Sequence, residues 1–309
     1  MNRLLLIASL LLLVTCSTKR NAGSLFGPSE AGTPVIDAYL IVDRPMPDLF
    51  VRQTLAPGAV YTHAAAATHG AQVKVVQGGV DYLYTDAGDT LGRYTPPPGA
   101  PNILPETDYY LFVRIGDREV TAVTRTPRRI QLDESVLLDV STLDVVRQLK
   151  SFRNAPDSVF TAPVNQIPYQ QNLLETRFQP IGASGYQVGV LNLETNSAFL
   201  VEADFLSDDD LKEFKRYTSS PPFEAPDGRL RLPWFAIYYA GRHVLRIYAM
   251  DLNWFDYTRT GPAQPNGGFG NLAGDNIERP VFHINGGIGL FGSASVDSLG
   301  FVVLPKTAN

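Results

Sequence analysis

The chain has 309 residues, a formal net charge of −5 and a single cysteine, Cys16. The slightly acidic balance, without any long run of basic residues, argues against nucleic acid as a partner. Because no cysteine follows Cys16, the rest of the chain offers no thiolate metal site and no thiol nucleophile. The length is sufficient for two domains.

The first 15 residues have the form of an export signal. Arg3 precedes a run from Leu4 to Val14 that is apolar except for Ser9, and this run is too short to span a bilayer. It ends in Leu13-Val14-Thr15-Cys16, which resembles a bacterial lipobox, although Thr15 stands where Gly, Ala or Ser is usual. We predict a signal peptide over residues 1–15 and acyl chains on Cys16 that hold the protein to a membrane.

Residues 16–33 are rich in Ser, Thr, Gly, Asn and Pro and predict a flexible tether. They lack the acidic cluster after the cysteine that helps to direct some lipoproteins of Bacteroidetes to the cell surface, so the side of the membrane is left open. The alternative is a signal peptide cleaved elsewhere, beside an incidental cysteine.

Short β-rich segments follow at regular spacing over residues 34–127. Two of them, Tyr109 to Ile115 and Glu119 to Thr124, flank a Gly116-Asp117 corner that is typical of a β-hairpin. About seven such segments over about 95 residues indicate an immunoglobulin-like β-sandwich. We therefore predict this fold for the first domain.

Residues 128–309 are predicted to form a second sandwich-like domain with a few short peripheral helices. Its strands include Tyr186 to Leu193 and His243 to Met250, which are rich in apolar and β-branched residues. The fold class as a whole is therefore mainly β, with two β-sandwich-like domains.

Three helices are predicted in this second domain. Ser141 to Asp144 has the pattern of a capping box in front of a helix over residues 145–149. Ser207 to Asp210 is a similar start that leads into Leu211 to Tyr217, and a third helical turn is predicted over Asp251 to Tyr257.

The stretch GIGLFG, from Gly287 to Gly292, fits the G-x-G-x-x-G template of nucleotide-binding turns. Dinucleotide binding also requires a helix after the glycines and an acidic residue about 20 positions later, whereas the residues from Ser293 onward favour turn or strand. We interpret these glycines as a structural loop that passes close to other backbone. Its members are Gly286, Gly287, Gly289 and Gly292.

Patterns for catalysis or metal binding are weak. The four histidines lack metal-ligand spacing, and the acidic run from Asp208 to Asp210 is explained by helix capping. The segment around Ser184 is one residue short of a G-x-S-x-G elbow and precedes a strand. We predict no catalytic residue, no metal and no cofactor.

Aromatic residues crowd the stretch from Trp234 to Tyr257. Sugar-binding and peptide-binding proteins often use such rings as platforms, whereas packing in the core is the alternative. We favour packing in the core for this cluster, and the candidate residues for ligand contact are Trp234, Tyr238, Trp254 and Tyr257.

The segment from Pro280 to Ser293 resembles the C-terminal signature of the domain-of-unknown-function 4249 family, lipoproteins of Bacteroidetes and relatives. In that family an ending close to N-I-x-G-G-x-G-x-F-G follows a helix and a Gly/Asn-rich loop. This chain matches from Ile284 onward and carries His283 where Asn is more common. The lipobox and the predicted first domain are similar to that family as well.

The resemblance implies a role but no activity, since the family has none assigned. Its members are often encoded beside TonB-dependent outer-membrane receptors, which implies an accessory role in nutrient capture or receptor assembly. We predict a non-enzymatic cell-envelope lipoprotein, anchored to the outer membrane, that acts with such a receptor. The alternatives are an envelope hydrolase acting on glycans or peptides and a structural or adhesive sandwich protein.

Overall fold

The computed structural model describes residues 31–151, 156–169, 172–196, 198–200, 216–233, 237–260 and 280–305. These residues form a mainly β fold of sandwich-like layers, as the sequence predicted. Cys16, most of the predicted tether, Trp234 and the predicted helix start at Ser207 to Asp210 lie outside the described residues. Among the described residues, no helix is long and apolar enough to cross a membrane.

The first core is enclosed by strands from residues 34–125. They are β1 (Pro34–Ile41), β2 (Leu49–Gln53), β3 (Gln72–Gln77), β4 (Val80–Asp86), β5 (Arg93–Thr95), β6 (Asp108–Ile115) and β7 (Arg118–Arg125), with a short helix α1 (His63–Ala66) between β2 and β3. One layer contains β1, β2 and β5, and the other contains β3, β6 and β7. Strand β4 pairs with both β3 and β5 and so joins the two layers.

Alternation along the strands builds this core. In β1, Ile36, Ala38 and Leu40 are buried, whereas Asp37 and Tyr39 lie on the outer face. The same core contains side chains of both layers, among them Val51, Val73, Leu111 and Val120. The outer face of β1 is therefore free to carry polar and aromatic groups.

The second core lies between two further layers. The strands are β8 (Leu132–Asp139), β9 (Val145–Leu149), β10 (Gln166–Pro168), β11 (Asn172–Phe178), β12 (Gly185–Asn192), β13 (Tyr217–Ser219), β14 (Arg229–Pro233), β15 (Gly241–Met250) and β17 (Ile288–Leu304). The short strand β16 (Ile284–Asn285) pairs with β7 and belongs to the first core. One layer has the order β14-β11-β8-β9, and the facing layer contains β13, β12, β15 and β17. Short 3₁₀ turns at Pro156–Phe160 and Pro163–Asn165 and a helix α2 (Leu252–Thr260) complete this part.

Strand β17 belongs to both cores. Its first part, from Ile288 to Ala294, pairs in parallel with β1, and its second part, from Ala294 to Val303, pairs antiparallel with β15. Phe291 is buried in the first core, whereas Phe301 is buried in the second. One long strand therefore fixes the two cores relative to each other.

The predicted helix over residues 145–149 is wrong, because these residues form strand β9 in a hairpin with β8. The carboxylate of Asp139 accepts hydrogen bonds from the backbone N–H groups of Ser141 and Thr142, which stabilises a turn instead of a helix start. Leu143 adopts a φ of 61°, which a helix excludes. The β-branched residues that follow also favour the strand.

The predicted helical turn after Asp251 is confirmed and extends through α2 to Thr260. Asp251 caps it, since its carboxylate accepts a hydrogen bond of 2.9 Å from the backbone N–H of Trp254. The helix lies against β17, β15 and β12 on their outer face. Its position brings the end of the second unit beside the β6–β7 hairpin of the first.

Candidate binding site

An open groove of about 560 Å³ lies along the outer face of the β6–β7 hairpin. The segment around β16 and one residue of α2 form the rest of its wall. The lining residues are Tyr110, Leu111, Phe112, Thr121, Ala122, Val123, Asn253, Phe282, His283, Ile284 and Asn285. A concave surface that offers both apolar and polar groups can hold a small ligand.

The register of the hairpin places four side chains on the groove face. Tyr110 lies opposite Val123, and Phe112 lies opposite Thr121. Because successive side chains of a strand alternate, Leu111 between them points into the first core. Tyr110 and Val123 are 45% and 48% exposed, so this apolar face is open to solvent.

Strand β16 extends the sheet beyond β7 and forms another part of the groove lining. Its two residues pair with the edge of β7 that does not face β6, Ile284 with Ala122 and Asn285 with Thr121. The side chain of Ile284 is buried in the first core, whereas Asn285 is exposed at the groove. The buried side chain of Ile284 thus holds Asn285 at the edge of the groove.

Asn253 of α2 ties the helix to both units. Its amide Nδ2 donates a hydrogen bond of 2.7 Å to the backbone carbonyl of Val123 and one of 2.8 Å to that of Phe291. The first of these bonds is made to Val123, the β7 residue that directly follows the two residues paired with β16. The edge of β7 at the groove is therefore occupied from Thr121 to Val123.

An Asp–His pair fixes the chain segment at the groove wall. Nε2 of His283 lies 2.7 Å from Oδ2 of Asp256, and Arg259 contacts the other carboxylate oxygen at 2.8 Å. Burial alone would raise the pKa of Asp256, but the hydrogen bonds from His283 and Arg259 outweigh it and lower that pKa. Thr260 adds a hydrogen bond from the backbone N–H of Val281 to its hydroxyl.

A cluster of aromatic rings continues from the groove across α2. Tyr257 contacts Phe282 of the groove wall with ring centroids 6.1 Å apart. On the same helix, Trp254 packs edge-on against Tyr39 at 4.9 Å and lies 6.1 Å from Tyr248. Tyr39 is 39% exposed, so part of this cluster also faces solvent.

Asp37 lies beside this aromatic cluster on the outer face of β1. Burial raises the pKa of its carboxyl, and a hydrogen bond from Tyr39 and the positive charge of Arg52 only partly offset this effect. The closest ion-pair distance between Arg52 and Asp37 is 3.8 Å. The carboxylate is thus already engaged by protein groups.

Two glycines allow α2 to lie flat on the sheet. A Cβ atom on Gly292 would lie 3.1 Å from atoms of Trp254, and one on Gly185 would overlap the ring of Phe255. The aromatic residues of the helix therefore occupy the space that side chains at these strand positions would fill. This packing decides where Trp254 is held.

The remaining glycines of GIGLFG and its flank lie against backbone of the first unit. Gly286 and Gly289 have φ values of 78° and 105°, which favour glycine. A Cβ atom on Gly289 would overlap the carbonyl oxygen of Ile36, and one on Gly286 would overlap that of Glu119. A Cβ atom on Gly287 would lie 2.9 Å from the carbonyl oxygen of Pro34.

The aromatic residues predicted to contact ligand do not form one surface. Trp254 and Tyr257 lie together on α2, whereas Tyr238 stacks on Phe199 at 6.3 Å, and Trp234 is outside the described residues. Sequence reasoning missed Tyr110, Phe112, Thr121 and Phe282. The alternation of β6 and β7 was a signal for the first three, since it places them on the outer face.

In the described part of the chain, no group of three or more His, Cys, Asp or Glu residues could hold a metal ion. His243 is buried and stacks on Phe301, with a hydrogen bond to the carbonyl of Gly241 and another with Asn192. The acidic run from Asp208 to Asp210 lies outside the described residues.

Comparisons with known proteins place few constraints on this chain. No protein-family model and no curated protein matches it. A solved structure that concerns host cell surface retention of a 1.5-MDa bacterial ice-binding adhesin is similar with a TM-score of 0.23 and 10% identity. The match covers 88% of this chain and 64% of that chain.

Proposed function

We propose that the protein is a non-enzymatic lipoprotein of the bacterial cell envelope that captures a ligand in the β6–β7 groove. In this proposal acyl chains on Cys16 anchor it to the outer membrane, and it delivers the ligand to a TonB-dependent receptor. The resemblance to the domain-of-unknown-function 4249 family supplies the receptor partner. The groove supplies the ligand site.

The observation that carries the proposal is the groove itself. It is concave, it offers both apolar and polar groups, and it is continuous with the aromatic residues of α2 through the contact between Phe282 and Tyr257. Its walls come from β7, β16 and α2, which are held together by backbone pairing and by the two hydrogen bonds of Asn253. A preformed site of this kind binds with little loss of conformational entropy.

The carboxylates near Trp254 favour binding over hydrolysis. A glycosidase needs two carboxyl groups that reach the scissile bond. Asp251 accepts hydrogen bonds from Thr124, Trp254 and Ser293.

The carboxylate of Asp256 is bound by Arg259 and His283. Asp37 is engaged by Tyr39 and Arg52. All three carboxylates therefore serve contacts within the protein.

Two measurements in native membranes test the proposal. The wild-type protein should be in the membrane fraction, and Cys16→Ser should release it, because the acyl chains would be lost. After mild detergent extraction, mass spectrometry of the purified wild-type protein should identify a TonB-dependent receptor. Membrane retention of Cys16→Ser, or purification without any such receptor, would contradict the proposal.

A further inference from the structure

We propose that the β6–β7 groove binds a neutral oligosaccharide. This inference rests on the proposed function, because it names the ligand class of the same site. Three properties of the groove support it. They are the absence of charge in its described lining, its aromatic rings and polar groups, and the occupation of the β7 edge by β16 and Asn253.

The lining is uncharged apart from one paired histidine. Among the described residues that line the groove, none is Asp, Glu, Lys or Arg. His283 is bound to Asp256, whose second oxygen is bound to Arg259. Lys74 lies over the ring of Phe112 at 5.1 Å but is paired with Asp81 at 2.8 Å. A charged ligand would enter the groove without a free counter-charge, which is unfavourable.

The rings and polar groups suit a sugar. Tyr110, Phe112 and Phe282 line the groove, and aromatic rings are suited to pack against the C–H faces of pyranose rings. Thr121 and Asn285 place a hydroxyl and an amide on neighbouring strands, at paired positions of the β7–β16 register. Hydroxyl and amide groups both donate and accept hydrogen bonds, as sugar hydroxyls require. The combination of apolar faces and neutral polar groups is thus matched to an uncharged polyhydroxylated ligand.

The β7 edge argues against a peptide strand as ligand. Peptides that bind beside a sheet obtain affinity from main-chain hydrogen bonds to an exposed edge. Here β16 pairs with Thr121 and Ala122, and the amide of Asn253 binds the carbonyl of Val123. Recognition is therefore left to side chains, which favours a sugar.

The experiment uses the full acylated protein purified in detergent. We would apply it to an array of neutral, sialylated and sulfated glycans and measure the affinity of bound glycans by calorimetry. An uncharged ten-residue peptide rich in Leu and Phe serves as a competing ligand class. We expect binding to a neutral glycan and no binding to the peptide.

Matched variants connect this binding to the groove. Tyr110→Ala should weaken glycan binding about tenfold, because one aromatic platform is lost. Tyr110→Phe should retain most of the affinity. Tyr61→Ala is the control, since Tyr61 is 59% exposed and does not line the groove, and it should leave the affinity unchanged. Equal thermal unfolding midpoints would show that all variants are folded.

The outcomes separate this inference from the proposed function. Binding only to acidic glycans, only to the peptide, or to no array member would overturn the neutral-glycan inference. Equal affinity in Tyr110→Ala and wild type would overturn the assignment to the groove. Purification of the receptor does not depend on the glycan, so the proposed receptor partnership can fail or succeed independently.

Discussion

The hydroxyl of Thr124 donates a hydrogen bond to the carboxylate of Asp251, 127 residues further along the chain. The two side chains are buried, and the Thr124 hydroxyl also lies 2.8 Å from that of Ser293. This contact joins the end of β7, the cap of α2 and strand β17 at the place where the two cores meet. It fixes the helix that contributes to the groove.

Replacement of Asp251 should therefore destabilise the protein strongly. Asp251→Ala removes the cap of α2 and the acceptor for the buried hydroxyl of Thr124 and the backbone N–H of Ser293. The loss of both should lower the free energy of unfolding by about 2–4 kcal/mol. Urea denaturation measures this loss. The control is Asp117→Ala in the exposed turn of the β6–β7 hairpin, which should be nearly neutral. Equal effects of the two variants would contradict the role assigned to Asp251.

Buried His243 predicts a dependence of stability on pH. Burial lowers its pKa to about 4, compared with about 6.5 in the unfolded chain. Between these values the unfolded state binds more protons, so the free energy of unfolding should rise with pH, by about 3 kcal/mol in total. Titration of the stability from pH 4 to pH 7 by urea denaturation measures this rise.

The variant His243→Gln should lose this pH-dependent component. Exposed His69, which lies 3.3 Å from Asp86, provides the control variant His69→Gln, and that variant should retain the rise. If the wild type and His243→Gln show the same pH profile, His243 is not the responsible group.

Hairpins with strong turn signals were predictable, and contacts between distant segments were not. Gly116-Asp117 between two β-rich runs predicted β6 and β7, and the structure confirms them. Strand β9 was mistaken for a helix because the capping pattern at Ser141 is local, whereas pairing with β8 decides the outcome. Local propensity is a weak signal when a partner strand is available.

The groove could not be predicted for the same reason. Its walls come from residues 110–112, 121–123 and 282–285 and from Asn253, and the segments of β7 and β16 meet only because these strands pair. The sequence marked Trp254 and Tyr257 by their aromatic character, but it did not indicate that Phe282 links Tyr257 to the groove. Composition identifies aromatic residues that can contact a ligand, whereas the strand topology determines which of them lie together.

Glu175 provides a test of a buried charge in the second unit. Its side chain is fully buried between Arg177 at 2.6 Å and Arg231 at 2.7 Å. Burial alone would raise its pKa, but the hydrogen bonds from Arg231 and Arg177 outweigh it and lower that pKa. Glu175→Gln should cost about 3 kcal/mol at neutral pH, because Arg231 loses its carboxylate partner and Arg177 keeps only its pair with Glu134.

The effect of Glu175→Gln should depend on pH. A lowered pKa in the folded state gives stability that is present at neutral pH and is lost as the pH falls. The difference between wild type and variant should therefore shrink in acid. Glu194→Gln, which breaks the more exposed pair with Arg242, should have little effect at any pH. A constant difference for Glu175→Gln across the titration would contradict the assigned pKa.

Gly289 tests the interpretation of GIGLFG as a packing motif. It has a φ of 105°, and a Cβ atom there would overlap the carbonyl oxygen of Ile36 on the neighbouring strand β1. Gly289→Ala should cost about 3 kcal/mol or more, since it adds both backbone strain and a clash between paired strands. The readout is the free energy of unfolding, or the soluble yield if the variant fails to fold.

A variant at Gly58 distinguishes the cost of backbone strain from the cost of the steric clash at Gly289. It has a φ of 86° but no atom within 4 Å of a Cβ position, so Gly58→Ala should cost only about 1 kcal/mol from backbone strain. The difference between the two variants measures the close approach of β17 to β1. Because this pairing joins the two cores, Gly289→Ala should also loosen the contact between α2 and β7 and weaken any ligand binding in the groove. A stable Gly289→Ala variant with wild-type stability would show that the glycine is not required for packing.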